Sequence, residues 1–269
     1  MSYAKVNGIE LFYERTGAGD PVLFLHGFGT SGRVWGAQVG DLAADHEVIT
    51  VDWRGAGRSD HPATGNTIAG NVADTLALIT ELGLNRPVLV GSSMGATFAL
   101  EAALAAPELV GGVVSVNGPG YWPGQGMTEL IDQLIGNLVS DRAGTLAGWV
   151  PSWFGPVAGP ELVDWTVRQT LDSGVFIDAL LLEAAGYDPR AEMAGLAVPA
   201  VFVHGLLDSE IPLAVSETLA SLAPRGSVQP IEGAGHLPHQ ELPREFNLVL
   251  RAALERIAAE QGVLATAAR

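Results

Sequence analysis

The sequence contains no cysteine among its 269 residues. This absence excludes disulfide bonds, thiolate catalysis and metal sites built on cysteine ligands. Basic residues are scarce too, with 14 Lys and Arg against 30 Asp and Glu, which gives a formal net charge of −16. Because such a charge repels phosphate backbones and anionic membrane surfaces, we expect neither nucleic acid nor a membrane among the partners.

Long hydrophobic runs are also missing. No apolar stretch reaches the roughly 18 residues that a membrane span requires, and the N-terminal MSYAKV lacks the basic and apolar blocks of a signal peptide. Charged residues make up only 16% of the chain and apolar residues 48%, which is ample material for a large core. We therefore expect a compact, soluble, cytoplasmic protein, whose oligomeric state the sequence leaves open.

Short apolar runs alternate with segments of helical periodicity along most of the chain. The Asn7-Gly8 dipeptide between two strand-like runs predicts an opening hairpin. Buried strands are then predicted at 22–25, 48–51, 88–90, 110–116, 200–203 and 228–231, and helices at 67–82, 94–105, 213–222 and from Glu241 onward. This alternation predicts an α/β fold with a mostly parallel sheet flanked by helices.

The alternation stops for about 70 residues in the middle of the chain. We interpret residues 118–190 as a helical lid inserted into a catalytic core of residues 1–117 and 191–261, and residues 262–269 as a frayed tail. The lid holds four of the six tryptophans, namely Trp122, Trp149, Trp153 and Trp165. Large aromatic residues often fill cores, but lids also cover substrate sites, so we expect at least one of the four to line a substrate pocket.

The chemical signal is strongest in Gly91-Ser92-Ser93-Met94-Gly95, between a predicted strand and a predicted helix. A nucleophile elbow needs this context, because its serine sits in a strained turn that brings strand and helix close together. Glycines two residues to either side leave room for that approach. Ser93 is therefore the predicted nucleophile.

A serine hydroxyl needs a general base, and the base needs a carboxylate that orients it. His236 lies in a glycine-bounded loop between the last predicted strand and the last helix, with His239 as a rival three residues later. Asp208 follows the strand 200–203, with Glu210 as the alternative acid. The order Ser93, Asp208, His236 is the one reported for a serine on a strand-to-helix elbow, and it differs from the orders of the other serine-hydrolase folds.

The tetrahedral intermediate of acyl transfer needs two N–H donors for its oxyanion. Met94 supplies one donor directly after the nucleophile, and the loop His26-Gly27-Phe28-Gly29 after an early strand supplies the other, for which Phe28 is the candidate. We expect His26 to brace this loop.

These motifs together resemble the α/β-hydrolase fold superfamily, in its lid-bearing branch of small bacterial serine hydrolases. The resemblance covers nearly the whole chain. It implies a Ser-His-Asp triad, a carboxylesterase or lactonase activity on a small apolar substrate, and neither a metal nor an organic cofactor. Relatives with an aspartate at the elbow apex, the epoxide hydrolases and haloalkane dehalogenases, are disfavoured because this chain has Ser93 there.

Three other functions stay open. Cofactor-free haloperoxidases, or perhydrolases, usually carry proline after the aromatic residue of the oxyanion loop, where this chain has Gly29. C–C bond hydrolases tend to read His-Gly-x-Gly-Pro-Gly in the same loop, a string absent here. The alternative from a different class is a slow-turnover ligand receptor that retains the triad.

Overall fold

An eight-stranded sheet forms the centre of the molecule. The computed structural model describes residues 2–118, 121–122 and 127–267. The strands lie in the order β1-β2-β4-β3-β5-β6-β7-β8. They are β1 (Ser2–Val6), β2 (Ile9–Gly17), β3 (Asp20–Leu25), β4 (His46–Val51), β5 (Val88–Ser92), β6 (Gly112–Val116), β7 (Ala200–Gly205) and β8 (Gly226–Ile231). The strands β3 to β8 are parallel, whereas β1 and β2 pair antiparallel.

Helices cover both faces of this sheet. They are α1 (Gly36–Leu42), α2 (Ile68–Glu81), α3 (Met94–Ala105), α4 (Met127–Ser140), α5 (Arg142–Trp149), α6 (Pro160–Leu171), α7 (Ala179–Gly186), α8 (Leu213–Leu222), α9 (Pro238–Glu241) and α10 (Pro243–Ala267). Successive strand residues face opposite sides. Leu23 packs in the core layer with α2, α3 and α8, and Phe24 in the layer with α1 and α10.

The predicted fold class is confirmed: this is an α/β-hydrolase fold with a mostly parallel sheet between helices. The opening hairpin is present, with positive φ at Asn7 (47°) and Gly8 (81°). Several boundaries differ from the expectation by one or two residues. The strand predicted at 110–116 begins at Gly112, and the final helix α10 begins at Pro243 after the separate short helix α9.

The chain between β6 and β7 adds no strand among the residues that the structure describes there. It contains α4 to α7 and short 3-10 helices, including Val150–Trp153. Residues 119–120 and 123–126 of the predicted lid lie outside the described residues, as do 268 and 269 of the predicted tail. The backbone of α10 stays helical to Ala267, past the start of that tail. None of the described helices is both long enough and apolar enough to cross a bilayer.

Candidate active site

Ser93 occupies the tight turn between β5 and α3. Its backbone is at φ 51°, ψ −116°, in a region that non-glycine residues rarely adopt. The turn is crowded on both sides. A Cβ on Gly91 would overlap the carbonyl oxygen of Gly95, and a Cβ on Gly95 would overlap that of Leu25. The two glycines therefore permit the close strand-to-helix approach that presents Ser93 at the carboxyl edge of the sheet.

His236 and Asp208 meet at the same edge. The Nδ1 atom of His236 lies 2.8 Å from Oδ2 of Asp208. A carboxylate only accepts hydrogen bonds, so Nδ1 carries the proton of the neutral ring and leaves Nε2 free to accept one. His236 and Ser93 line the same cavity. The arrangement brings together the three residues that the sequence nominated as nucleophile, base and acid.

Asp208 has hydrogen-bond partners besides His236. Its Oδ1 accepts from the backbone N–H of Glu210 (2.8 Å) and of Ile211 (3.1 Å), and its Oδ2 accepts from Nδ2 of Asn117 (2.7 Å). Asn117 also accepts from the N–H of Gly205 at 3.1 Å. The sequence analysis missed Asn117. The available signal was its position directly after β6, at the edge where parallel strands gather functional residues.

These contacts shift both pKa values of the pair. Burial alone raises the pKa of Asp208, but the neighbouring charge of His236 and the hydrogen bonds from His236, Asn117 and the Glu210 N–H lower it to about 2. Burial alone lowers the pKa of His236. The charge and hydrogen bond of Asp208, with the charges of Glu210 and Glu241, outweigh burial and raise that pKa. At neutral pH the acid is therefore ionised, and its charge favours the imidazolium that forms when a base accepts a proton.

The sequence offered His239 as an alternative base and Glu210 as an alternative acid, and both have other surroundings than His236 and Asp208. His239 is absent from the described residues that line the cavity; it stacks on Trp35 with ring centroids 4.2 Å apart and is 1% exposed. Among the described residues, neither of its ring nitrogens has a hydrogen-bond partner. Glu210 directs its carboxylate toward α5 and the 3-10 helix after it, where it accepts from Nε1 of Trp149 at 3.0 Å and from Oγ of Ser152 at 2.8 Å.

The loop after β3 lies beside the elbow. A Cβ built on Gly27 would stand 3.5 Å from Cβ of Ser93, and Phe28 lines the cavity that Ser93 faces. Met94 lines the same cavity and begins α3, where the first N–H groups have no helical acceptor. The two expected oxyanion donors thus line the same cavity as Ser93.

His26 braces this loop, as its position suggested. Its Nδ1 donates to the Gly27 carbonyl at 2.9 Å, and its Nε2 accepts from the backbone N–H of Trp53 at 3.3 Å. The ring also stacks on Trp53, with centroids 4.9 Å apart. Complete burial lowers the pKa of His26 to about 4, so the ring is neutral and its hydrogen bonds keep one pattern across the neutral range.

A narrow and mostly apolar cavity lies above Ser93. It encloses about 550 Å³ of empty space, part of it open to solvent. Three of the four nominated tryptophans line it: Trp122, Trp149 and Trp153. Trp149 packs edge-to-face on Trp153, with centroids 5.1 Å apart, and approaches the Phe28 ring at 6.0 Å. Apolar walls with a few placed polar groups are typical of small-molecule sites.

Trp165, the fourth of these tryptophans, lies away from the cavity. Trp165 is absent from the described residues that line this cavity and packs instead against the core layer of α1 and α10. The Arg33 guanidinium lies 5.7 Å from its ring centre. Its position within α6 directs the indole to the joint between the insertion and the core, so its role there is packing.

Glu241 is a second residue that the sequence analysis missed. Its buried carboxylate accepts from the N–H of Gly235 and of Leu237, which flank His236, and from the N–H of Gly155 in the insertion at 2.7 Å. The N–H of His236 itself donates to the Trp153 carbonyl at 2.7 Å. The histidine loop and the insertion are thus joined through backbone groups that a sequence pattern does not specify.

The comparisons with solved structures agree with this fold. A thermophilic esterase from Thermogutta terrifontis superposes with a TM-score of 0.88 at 26% identity, covering 96% of this chain and 99% of that one. A bromoperoxidase from Bacillus anthracis gives a TM-score of 0.88 at 25% identity, covering 94% and 99%. An enol-lactonase from Burkholderia xenovorans LB400 gives 0.85 at 25% identity, covering 94% and 100%.

Sequence comparison gives the family. In four curated relatives, the matched segment is 36% to 46% identical but spans only 32% to 44% of each relative's length. The model of the alpha/beta hydrolase family, in contrast, matches residues 22–247, from β3 into α10. That match includes the Ser93 turn, the loops that hold Asp208 and His236, and the whole segment between β6 and β7. With the sheet order and the Ser93 turn described above, it establishes that the chain belongs to the alpha/beta hydrolase family.

Proposed function

We propose that this protein is a serine hydrolase that cleaves a small, apolar carboxylic ester or lactone through an acyl-Ser93 intermediate. The observation that carries the proposal is the 2.8 Å contact between His236 Nδ1 and Asp208 in the wall of the cavity that Ser93 lines. Similarity to an esterase and to an enol-lactonase supports the same bond class. In this proposal, residues 118–190 form a lid over the catalytic core.

The proposed reaction has two halves. Ser93 Oγ attacks the carbonyl carbon while Nε2 of His236 takes the hydroxyl proton of Ser93. The oxyanion that forms accepts hydrogen bonds from the backbone N–H groups of Phe28 and Met94. Collapse of this intermediate breaks the bond to the alcohol, which takes the proton from His236. A water then attacks the acyl-enzyme with His236 again as base, and the carboxylic acid leaves as Ser93 regains its proton.

Ser93→Ala tests the proposal. The variant should fold normally, because the substitution removes only one hydroxyl from the chain. Its turnover of p-nitrophenyl esters or lactones should fall by a factor on the order of 10⁶. A fluorophosphonate probe should label the wild type at Ser93 and leave the variant unlabelled. Ser92→Ala is the matched control, since Ser92 is the neighbouring, fully buried serine. Activity of Ser93→Ala close to wild type would refute the assigned nucleophile.

A second candidate is perhydrolysis, in which hydrogen peroxide replaces water in the deacylation half and a peracid leaves. The structural similarity to a bromoperoxidase favours it. Gly29 disfavours it, because such enzymes usually carry proline after the aromatic residue of the oxyanion loop, where this chain has Gly29. Measuring peracid formation against ester hydrolysis at equal enzyme concentration separates the two reactions.

A further inference from the structure

One charged side chain in the wall of the cavity has no part in the proposed triad. Glu210 lies two residues after Asp208, and its carboxylate faces the insertion rather than His236. Its Oε2 accepts from Trp149 Nε1 at 3.0 Å, its Oε1 accepts from Ser152 Oγ at 2.8 Å, and its backbone carbonyl accepts from Trp122 Nε1 at 2.8 Å. Glu210 therefore fixes two of the tryptophans that form the wall.

These partners orient the carboxylate without neutralising it. An indole N–H and a hydroxyl are uncharged donors, so neither of them cancels the negative charge. Of the described residues that line the cavity, none is lysine or arginine, and His236 is already paired with Asp208. The remaining wall is largely apolar, which weakens the screening of any charge inside it.

A negatively charged substrate group would meet two costs in such a cavity. It would lose its hydration to apolar walls, and it would face a fixed like charge at short range. An uncharged group of the same shape meets neither cost and packs on the tryptophans. The sign of the substrate's charge is therefore the property that this wall discriminates best.

We propose that Glu210 is a specificity-determining residue that restricts the site to substrates without a negative charge on the part lying against Trp149 and Trp122. This inference rests on the proposed ester or lactone hydrolysis and names its substrate class: neutral esters, with ω-carboxylate esters rejected. Glu210 acts by placing charge and by fixing the wall, and takes no proton in the reaction.

The test uses matched substrate pairs that differ in one charge. On the acyl side these are p-nitrophenyl hexanoate and mono-p-nitrophenyl adipate, and on the alcohol side p-methylbenzyl and p-carboxybenzyl butyrate. Wild type should prefer the neutral member of at least one pair, with a kcat/KM ratio of tenfold or more, on the order expected for a like charge nearby. In Glu210→Gln that ratio should fall about tenfold, chiefly because the anionic ester improves.

Two controls separate charge from geometry. Glu255→Gln removes the same charge from an exposed position on α10 and should leave the ratio unchanged. Ser152→Ala removes one hydrogen bond to Glu210 while leaving the charge, so the discrimination should persist.

Equal kcat/KM for both members of both pairs in wild type would overturn the inference without any variant. A ratio that Glu210→Gln leaves unchanged, or that Glu255→Gln lowers equally, would overturn it as well. If wild type hydrolyses none of the four esters and no lactone, the proposed function fails instead. The two failures are therefore distinguishable.

Discussion

His236 is surrounded by carboxylates, only one of which it contacts directly. Asp208 is hydrogen-bonded to the ring, whereas Glu210 and Glu241 act through their charges, and together they raise the pKa of His236 despite its burial. A base must be neutral to accept the proton of a nucleophile. Because the pKa of His236 is raised, activity should require a higher pH than it would if this histidine had its ordinary pKa.

We predict that kcat/KM rises through an acidic limb whose midpoint lies above about 6.5, the ordinary pKa of histidine. Glu241→Gln should move this midpoint downward, because it removes one of the charges that raise the pKa. Stopped-flow or initial-rate profiles between about pH 5 and pH 9 measure it. Circular dichroism over the same range must show folded protein. A midpoint at or below the ordinary value would contradict the electrostatic account.

His239 is a buried ionisable group without a function in the proposed mechanism. Burial, with a smaller contribution from the charge of His236, lowers its pKa to about 3. Between its ordinary value near 6.5 and 3, the unfolded chain binds a proton that the folded protein does not. Stability is thus fully present above pH 6.5 and falls on acidification, by up to about 1.4 kcal/mol per pH unit from this residue.

We predict that His239→Phe reduces this acid sensitivity while keeping the stack on Trp35. Urea unfolding at about pH 7 and pH 5 should show a loss of unfolding free energy that is smaller in the variant, by about 1–2 kcal/mol. His61→Gln, at an exposed position, is the control and should retain the wild-type loss. The same loss in His239→Phe as in wild type would show that other groups dominate acid destabilisation.

At the scale of elements, the segment from α5 through the 3-10 helix Val150–Trp153 contacts the loops that hold Asp208 and His236. Ser209 Oγ donates to the Ser152 carbonyl at 2.8 Å, and the His236 N–H donates to the Trp153 carbonyl. A Cβ on Gly235 would lie 2.5 Å from the nitrogen of Gly155. This close approach makes the segment a wall of the cavity rather than a distant cover.

We predict that Trp149→Ala moves the preferred acyl chain of p-nitrophenyl esters to longer lengths. Each methylene buried from water contributes about 0.8 kcal/mol, so activity should climb about fourfold per methylene until the pocket is full. Removing the indole enlarges the pocket and postpones that limit. A kcat/KM series from acetate to laurate measures the optimum.

Trp165→Ala is the matched control for this prediction. Because Trp165 packs against the core away from the cavity, its truncation should lower the melting temperature and leave the chain-length optimum where it is. Since the indole is only partly buried, the cost should be below the roughly 3–5 kcal/mol of a fully buried aromatic. An optimum that moves in Trp165→Ala but stays in Trp149→Ala would reverse our assignment of the two walls.

At the scale of the whole molecule, an excess of 16 negative charges opposes the compact state. The screening length falls from about 30 Å at 0.01 M salt to about 8 Å at 0.15 M, so moderate salt weakens repulsion across the surface. Exposed ion pairs such as Lys5–Glu10 contribute little in return.

We therefore predict that the melting temperature at pH 7 rises by a few degrees between about 0.01 M and about 0.2 M monovalent salt. Differential scanning calorimetry measures this rise. Sodium chloride and choline chloride should give equal rises at equal ionic strength, because screening does not depend on the cation. A melting temperature that stays constant or falls would mean that attractive surface pairs outweigh the net repulsion.

Local patterns were enough to predict the sheet and its hairpin. The elbow depends on residues within five positions of each other, and the Asn7-Gly8 turn on two, so short-range sterics determine both. Buried parallel strands are apolar on both faces and are therefore visible as short apolar runs. The placement of Ser93, Asp208 and His236 at one edge followed because every parallel strand ends there.

Only the tertiary structure decided which side chains meet across long separations in the chain. Asn117 contacts Asp208, Glu241 contacts Gly155, and Glu210 contacts Trp149, pairs that lie 91, 86 and 61 residues apart. The four tryptophans between β6 and β7 look alike in sequence, yet Trp165 faces the core and the other three face the cavity. The orientation of each helix and its packing against the sheet decide where each indole lies. The residue type indicates only that a side chain is apolar, not which surface buries it.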